Sequence, residues 1–133
     1  MKLTKYSVNR FRNNAVQWEV PKEYFEPIFN YLVHGYSPGS FFTALLANDM
    51  FSAMARSHPA NSVIGLKNLT NWINSLELRN IAWGNYEVVK NWLKTDEAAR
   101  RVVLEKVGLV YSEQDEILKV LKDEPSVEPF FMN

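Results

Sequence analysis

The stretch Pro21-Lys22-Glu23-Tyr24-Phe25-Glu26-Pro27-Ile28-Phe29-Asn30-Tyr31-Leu32-Val33-His34-Gly35 decides the fold class. Phe25, Ile28, Phe29, Leu32 and Val33 recur at helical spacing and fall on one face, with Pro27 early in the helix and Gly35 as a left-handed stop. The same period continues downstream. Ser37-Pro38-Gly39-Ser40 reads as a cap and first turn, opening a second helix that runs to about Arg56. A third starts between Pro59 and Ser62 and buries Leu66, Leu69, Trp72, Ile73 and Leu76. Asn85 caps a fourth, with Val88, Val89, Trp92 and Leu93 inward; Asp96 caps a fifth, Glu97 to Val107, stopped by Gly108 and carrying a Glu97/Arg101 pair. Ser112 opens a sixth, with Ile117, Leu118 and Leu121 inward. The expected fold is therefore mainly α, a bundle of five or six short helices.

Residues 3 to 20 break this period. Tyr6-Ser7-Val8 and Val16-Gln17-Trp18-Glu19-Val20 alternate polar and apolar positions around a turn-prone Arg12-Asn13-Asn14, the pattern of a small β-hairpin or extended arm. One domain spans residues 1–133: an arm or hairpin over 1–20, a helical core over 21–122 and a tail over 123–133. No repeat or linker divides it.

Composition excludes several classes of function. The 133 residues carry 15 Lys+Arg against 15 Asp+Glu, which is poor material for neutralising the phosphates of duplex nucleic acid. With no cysteine, disulfide frameworks, thiolate metal sites and cysteine nucleophiles fall away, and a reducing cytoplasm fits. No apolar run reaches the roughly 18 residues of a membrane span, and Met1-Lys2-Leu3-Thr4-Lys5-Tyr6 lacks a signal-peptide core, so no membrane partner is expected.

Few residues offer chemistry. Gly35-Tyr36-Ser37-Pro38-Gly39 matches the serine-hydrolase elbow pattern, but a helix rather than a strand precedes Ser37, which reads instead as a capping serine. His34 and His58 lack the further ligands a metal centre needs; neither a metal nor a cofactor is expected, and His34 suits a helix C-terminus. Asp49 is more informative, since it falls within the stripe of Phe42, Leu45, Leu46 and Ala53. A carboxylate there needs a helix N-terminus, an indole N–H or a cation; Trp83, the amides after Asn85 and Arg56, two turns away, are the candidates. It is either a fold-specifying buried acid or a ligand contact. Gly39 and Ser40 offer free amides to an anion. Lys90, Lys94, Arg100, Arg101 and Lys106 are interleaved with Glu87, Asp96, Glu97 and Glu105, as on a solvated face. The end, from Asp123 through Pro129-Phe130-Phe131-Met132 to Asn133, is acidic and aromatic, suited to packing back on the helices or docking another protein.

Val20-Pro21, Tyr31-Leu32-Val33-His34-Gly35, Pro38-Gly39-Ser40-Phe41, Leu45-Leu46-Ala47-Asn48-Asp49-Met50, Arg56, Asn61 and Trp83-Gly84 resemble the ordered motifs of a family of small bacteriophage and prophage proteins. Its pattern is V-P, H-G-x-x-P-G-S-F, N-D-L/M, R-A-D-x-x-N and W-G-S-P-E-A-V. The likeness covers residues 20 to 94, with Arg56-Ser57-His58 in place of R-A-D and Asn85-Tyr86 in place of S-P. It implies a non-enzymatic accessory protein in the cytoplasm of a bacterial host, acting by binding. The first expectation is a protein that binds and inhibits or redirects a host protein, in host takeover or anti-defence. One alternative is a sponge for a phosphate-containing signalling nucleotide, with phosphate on Gly39 and Ser40, Arg56 as counter-charge and Trp83 or Tyr36 stacked on the base. Another is a replication or nucleic-acid accessory protein; a homo-oligomer is compatible with each. The candidate site residues are Gly39, Ser40, Asp49, Arg56 and Trp83.

Overall fold

Thr4 starts the first helix by accepting a hydrogen bond from the Ser7 amide at 3.4 Å. The structure, a computed structural model, describes residues 1–58 and 61–122. Among these, eight α-helices follow one another: α1 (Lys5–Gln17), α2 (Lys22–Phe29), α3 (Ser40–Leu46), α4 (Met50–Arg56), α5 (Val63–Ser75), α6 (Tyr86–Lys94), α7 (Glu97–Lys106) and α8 (Glu113–Leu121). The fold is mainly helical, as the periodicity predicts, and no strand occurs among the described residues. The acidic tail expectation over 123–133 lies outside them.

The hairpin or arm expected over residues 3 to 20 is instead α1, an integral part of the core. Its buried stripe, Ser7, Phe11 and Ala15, is one residue wide and repeats every four, too narrow to announce itself as amphipathic. Turn-prone Asn14 stays helical, and its Oδ1 accepts the Trp72 indole N–H of α5 at 2.8 Å. Phe11 packs edge-on against Phe25, Phe29 and Trp72, with ring centres 5.7, 5.1 and 6.2 Å away.

Pro27 sits late in α2 rather than early, and the helix then widens into a π turn over Asn30–His34, closed by Gly35 at φ 68°. This turn is the hub of the bundle. The Tyr31 hydroxyl donates to the Ala82 carbonyl at 2.6 Å, the Trp92 indole donates to the Tyr31 carbonyl at 3.0 Å, and Arg100 Nε donates to the Val33 carbonyl at 3.1 Å. A Cβ on Gly35 would lie 2.8 Å from the Arg100 guanidinium, so close approach as well as positive φ requires glycine there.

Asn85, Asp96 and Ser112 open the helices expected of them, and Ser62 caps the helix expected to start between Pro59 and Ser62. Other expectations fail. Arg100 is buried rather than solvated, and Arg101 pairs with Glu105 and Glu116 instead of Glu97, which takes the Met1 ammonium at 2.8 Å. In α8 the inward residue is Glu116, whereas Ile117, Leu118 and Leu121 are exposed. Glu116 Oε1 accepts the Thr4 amide at 3.0 Å and the Thr4 hydroxyl at 2.9 Å, and Oε2 accepts Arg101. That network turns the polar side of α8 toward the core.

Candidate functional site

The single helix expected to open at Ser37-Pro38-Gly39-Ser40 and run to about Arg56 is two helices, and the break sets the geometry of the site. Asn48 takes the left-handed conformation at φ 61°, its amide donating to Leu45 and that of Asp49 to Ala44, which closes α3. Asp49 then caps α4 by accepting the Ser52 amide at 3.2 Å. The carboxylate is therefore half-buried at a helix junction, not buried within an apolar stripe. Asn48-Asp49 was the legible signal: asparagine tolerates the left-handed stop, and aspartate is a strong N-cap.

A second segment is pinned to the same corner. The Gly84 amide donates to the Leu46 carbonyl at 2.7 Å, and the Asn80 amide donates to Trp83 at 2.7 Å, folding residues 79–84 into a tight turn. Gly84 at φ 141° sits with its virtual Cβ 3.1 Å from Asn80 Oδ1. Tyr86, just after the cap Asn85, then donates its hydroxyl to Asp49 Oδ2 at 2.6 Å. This bond and the Ser52 amide hold the Asp49 carboxyl below the usual aspartate range, while the same carboxylate pushes the Tyr86 phenol up. Tyr86 is the site residue that sequence reasoning missed. A helix N-terminus does satisfy Asp49, but the helix is its own α4 and the further donor is a phenol rather than Trp83.

Arg56, exposed at the end of α4, adds a favourable field at Asp49 without an ion pair. Trp83 lies under the Arg79 guanidinium, 5.6 Å from the ring centre, and its Nε1 is buried without a hydrogen-bond partner. Gly39 and Ser40 are elsewhere. They open α3, whose seven residues span roughly 10 Å, and Asp49 lies beyond its other end. Gly39, at φ 91° with open space around it, is the N-cap; exposed Ser37, expected to cap, lies two residues outside. No hydrogen bond or ion pair among the described residues joins Gly39 or Ser40 to Arg56. The structure thus gathers Asp49, Trp83 and the field of Arg56, and places the Gly39-Ser40 turn at the end of α3 away from Asp49.

The chain around Asp49 exposes an unusual face. Met50, Phe51 and Met54 are 44%, 92% and 50% exposed along α4, while Ala53 is fully buried and anchors the helix. The half-exposed Tyr86 ring adjoins them at the head of the helix. Beside Met50 lies a hollow of about 210 Å³ bounded by α3, α5 and Trp83.

His34 stacks on Tyr36 with ring centres 5.3 Å apart; burial and then the neighbouring Met1 ammonium hold its pKa below the usual value. Among the described residues no group of three His, Asp or Glu side chains is placed to hold a metal ion. No helix among them is long and apolar enough to cross a membrane. The chain matches no protein-family model, no curated protein and no solved structure.

Proposed function

We propose that this chain is a non-enzymatic accessory protein of bacteriophage type that binds a bacterial host protein through the outer face of α4 and so inhibits or redirects it. The observation that carries the reading is Phe51. A phenylalanine exposed to 92% on a short helix between Met50 and Met54 loses solvation free energy until a partner covers it. Aromatic and methionine side chains of this kind are the usual anchors of protein interfaces. The cap at Asp49 and the Tyr86 bond hold the helix ready without the partner. The partner's matching surface is an apolar groove or helix face. A nucleotide sponge draws less support, because no hydrogen bond or ion pair among the described residues joins Gly39 and Ser40 to Arg56 or Trp83 in one site.

The test places a photo-crosslinking amino acid at Phe51, and at exposed Lys90 on α6 as control, in the full chain expressed in bacterial cells. The expected result is one host protein crosslinked from position 51, not from 90, and lost when Met54 is changed to Asp. Adducts with only a second copy of this chain, or equal capture from both positions, overturn the reading.

A further inference from the structure

The hollow beside Met50 has a lining that suits a second kind of ligand. Its apolar wall is Leu45, Ile73 and the Trp83 indole, and its polar rim is Asn48, Asn71 and Asn74. The three carboxamides make no hydrogen bond with any other described residue, so each presents two N–H donors and a carbonyl acceptor. No charged side chain lines it. Trp83 contributes a ring to the wall, and its indole Nε1 is buried within the fold without a hydrogen-bond partner. At about 210 Å³ the hollow is smaller than a site for a drug-sized ligand and suits a single ring with one substituent.

We propose that this hollow is a binding site for an uncharged small molecule carrying a carbonyl or carboxamide edge on a flat apolar body. The asparagines read the polar edge from both sides, as donor and acceptor, and the indole and aliphatic wall hold the ring. Absence of a cation in the lining disfavours carboxylates and phosphates; absence of an acid disfavours amidinium and ammonium groups. The site shares Met50 with the outer face of α4 but is otherwise built from α3, α5 and the 79–84 turn, so it does not rest on the host-protein reading.

The test is a titration of the full chain with benzamide, read from the Trp83 indole N–H resonance, which Trp83→Phe assigns by its loss. The Trp72 and Trp92 indoles serve as internal controls, being already bonded to Asn14 and Tyr31. Benzamide is expected to give a saturable shift with a Kd on the order of millimolar. Benzoate and benzamidinium, of the same shape but charged, bind at least about tenfold more weakly. Thr70→Phe, at an exposed rim position of α5, fills the hollow and abolishes the shift with Tm unchanged; Asn74→Leu weakens benzamide about tenfold. No saturation, equal binding of all three probes, or a benzamide shift that survives both substitutions overturns the proposal.

Discussion

The Tyr86 hydroxyl donates to Asp49 Oδ2 at 2.6 Å, joining the head of α6 to the cap of α4 across a sequence separation of 37 residues. Through this bond one carboxylate serves two elements: Oδ1 caps its own helix and Oδ2 ties that helix to the 79–86 segment.

Asp49→Ala should therefore lower Tm more than Tyr86→Phe, because it removes both bonds, and Asp49→Asn should fall between, since asparagine also caps. The pH dependence follows from the direction of each shift. With its folded pKa below the unfolded value of about 3.9, Asp49 contributes stability that is present above that value and lost as pH falls through the folded pKa. Tyr86, raised above its ordinary value, contributes below about pH 10 and loses that contribution as pH rises through its folded pKa. The Tm gap between wild type and Asp49→Asn should close below about pH 4, as thermal melts across pH will check. A gap that persists unchanged at acid pH would contradict the bond.

Glu116 gives the larger effect. Burial pushes its carboxyl up, but hydrogen bonds from Ser7, Arg101 and Thr4 together outweigh burial and hold it below the usual glutamate range. Glu116→Ala leaves Arg101 half-buried beside Glu105 alone and should cost on the order of 2–3 kcal/mol in urea denaturation. Replacing both partners, Glu116→Leu with Arg101→Met, should cost less than the single change, because no charge is stranded. The native contribution is present above the ordinary glutamate pKa of about 4.3 and is lost as pH falls through the lowered folded pKa.

Two glycines of similar backbone separate strain from crowding. Gly35 and Gly108 have φ of 68° and 78°, but a Cβ at Gly35 meets the Arg100 guanidinium at 2.8 Å whereas one at Gly108 finds Arg10 only at 3.8 Å. Gly108→Ala should cost about 1 kcal/mol from the left-handed backbone alone. Gly35→Ala should cost more, because Arg100 must also leave the Val33 carbonyl. Equal losses in Tm would show that the arginine moves freely.

Phe51→Asp should leave Tm within the range of ordinary surface changes, about 0.5 kcal/mol, while raising solubility. A large loss of stability would mean that Phe51 packs within the fold.

Local chemistry carried much of this fold in the sequence. Ser62, Asn85, Asp96 and Ser112 cap the helices that follow them because a cap needs only a side chain and an amide three residues later. The helical period of residues 21–35 and the stop at Gly35 are legible for the same reason. Long-range partners decided the rest. Lys5–Gln17 form a helix because Phe11 and Asn14 meet Phe25, Phe29 and Trp72, the last 58 positions from Asn14, which alternation within the segment does not encode. Arg100, Arg101 and Glu116 turn inward because carbonyls, a carboxylate and Thr4, 112 residues from Glu116, satisfy them there, whereas hydropathy alone assigned the two arginines to the surface and Leu118 to the core. At the site, the Asn48-Asp49 break was written in the residues themselves, but its junction with Tyr86 and Trp83 depends on the Gly84 amide reaching Leu46, a contact only the packed chain brings within 2.7 Å.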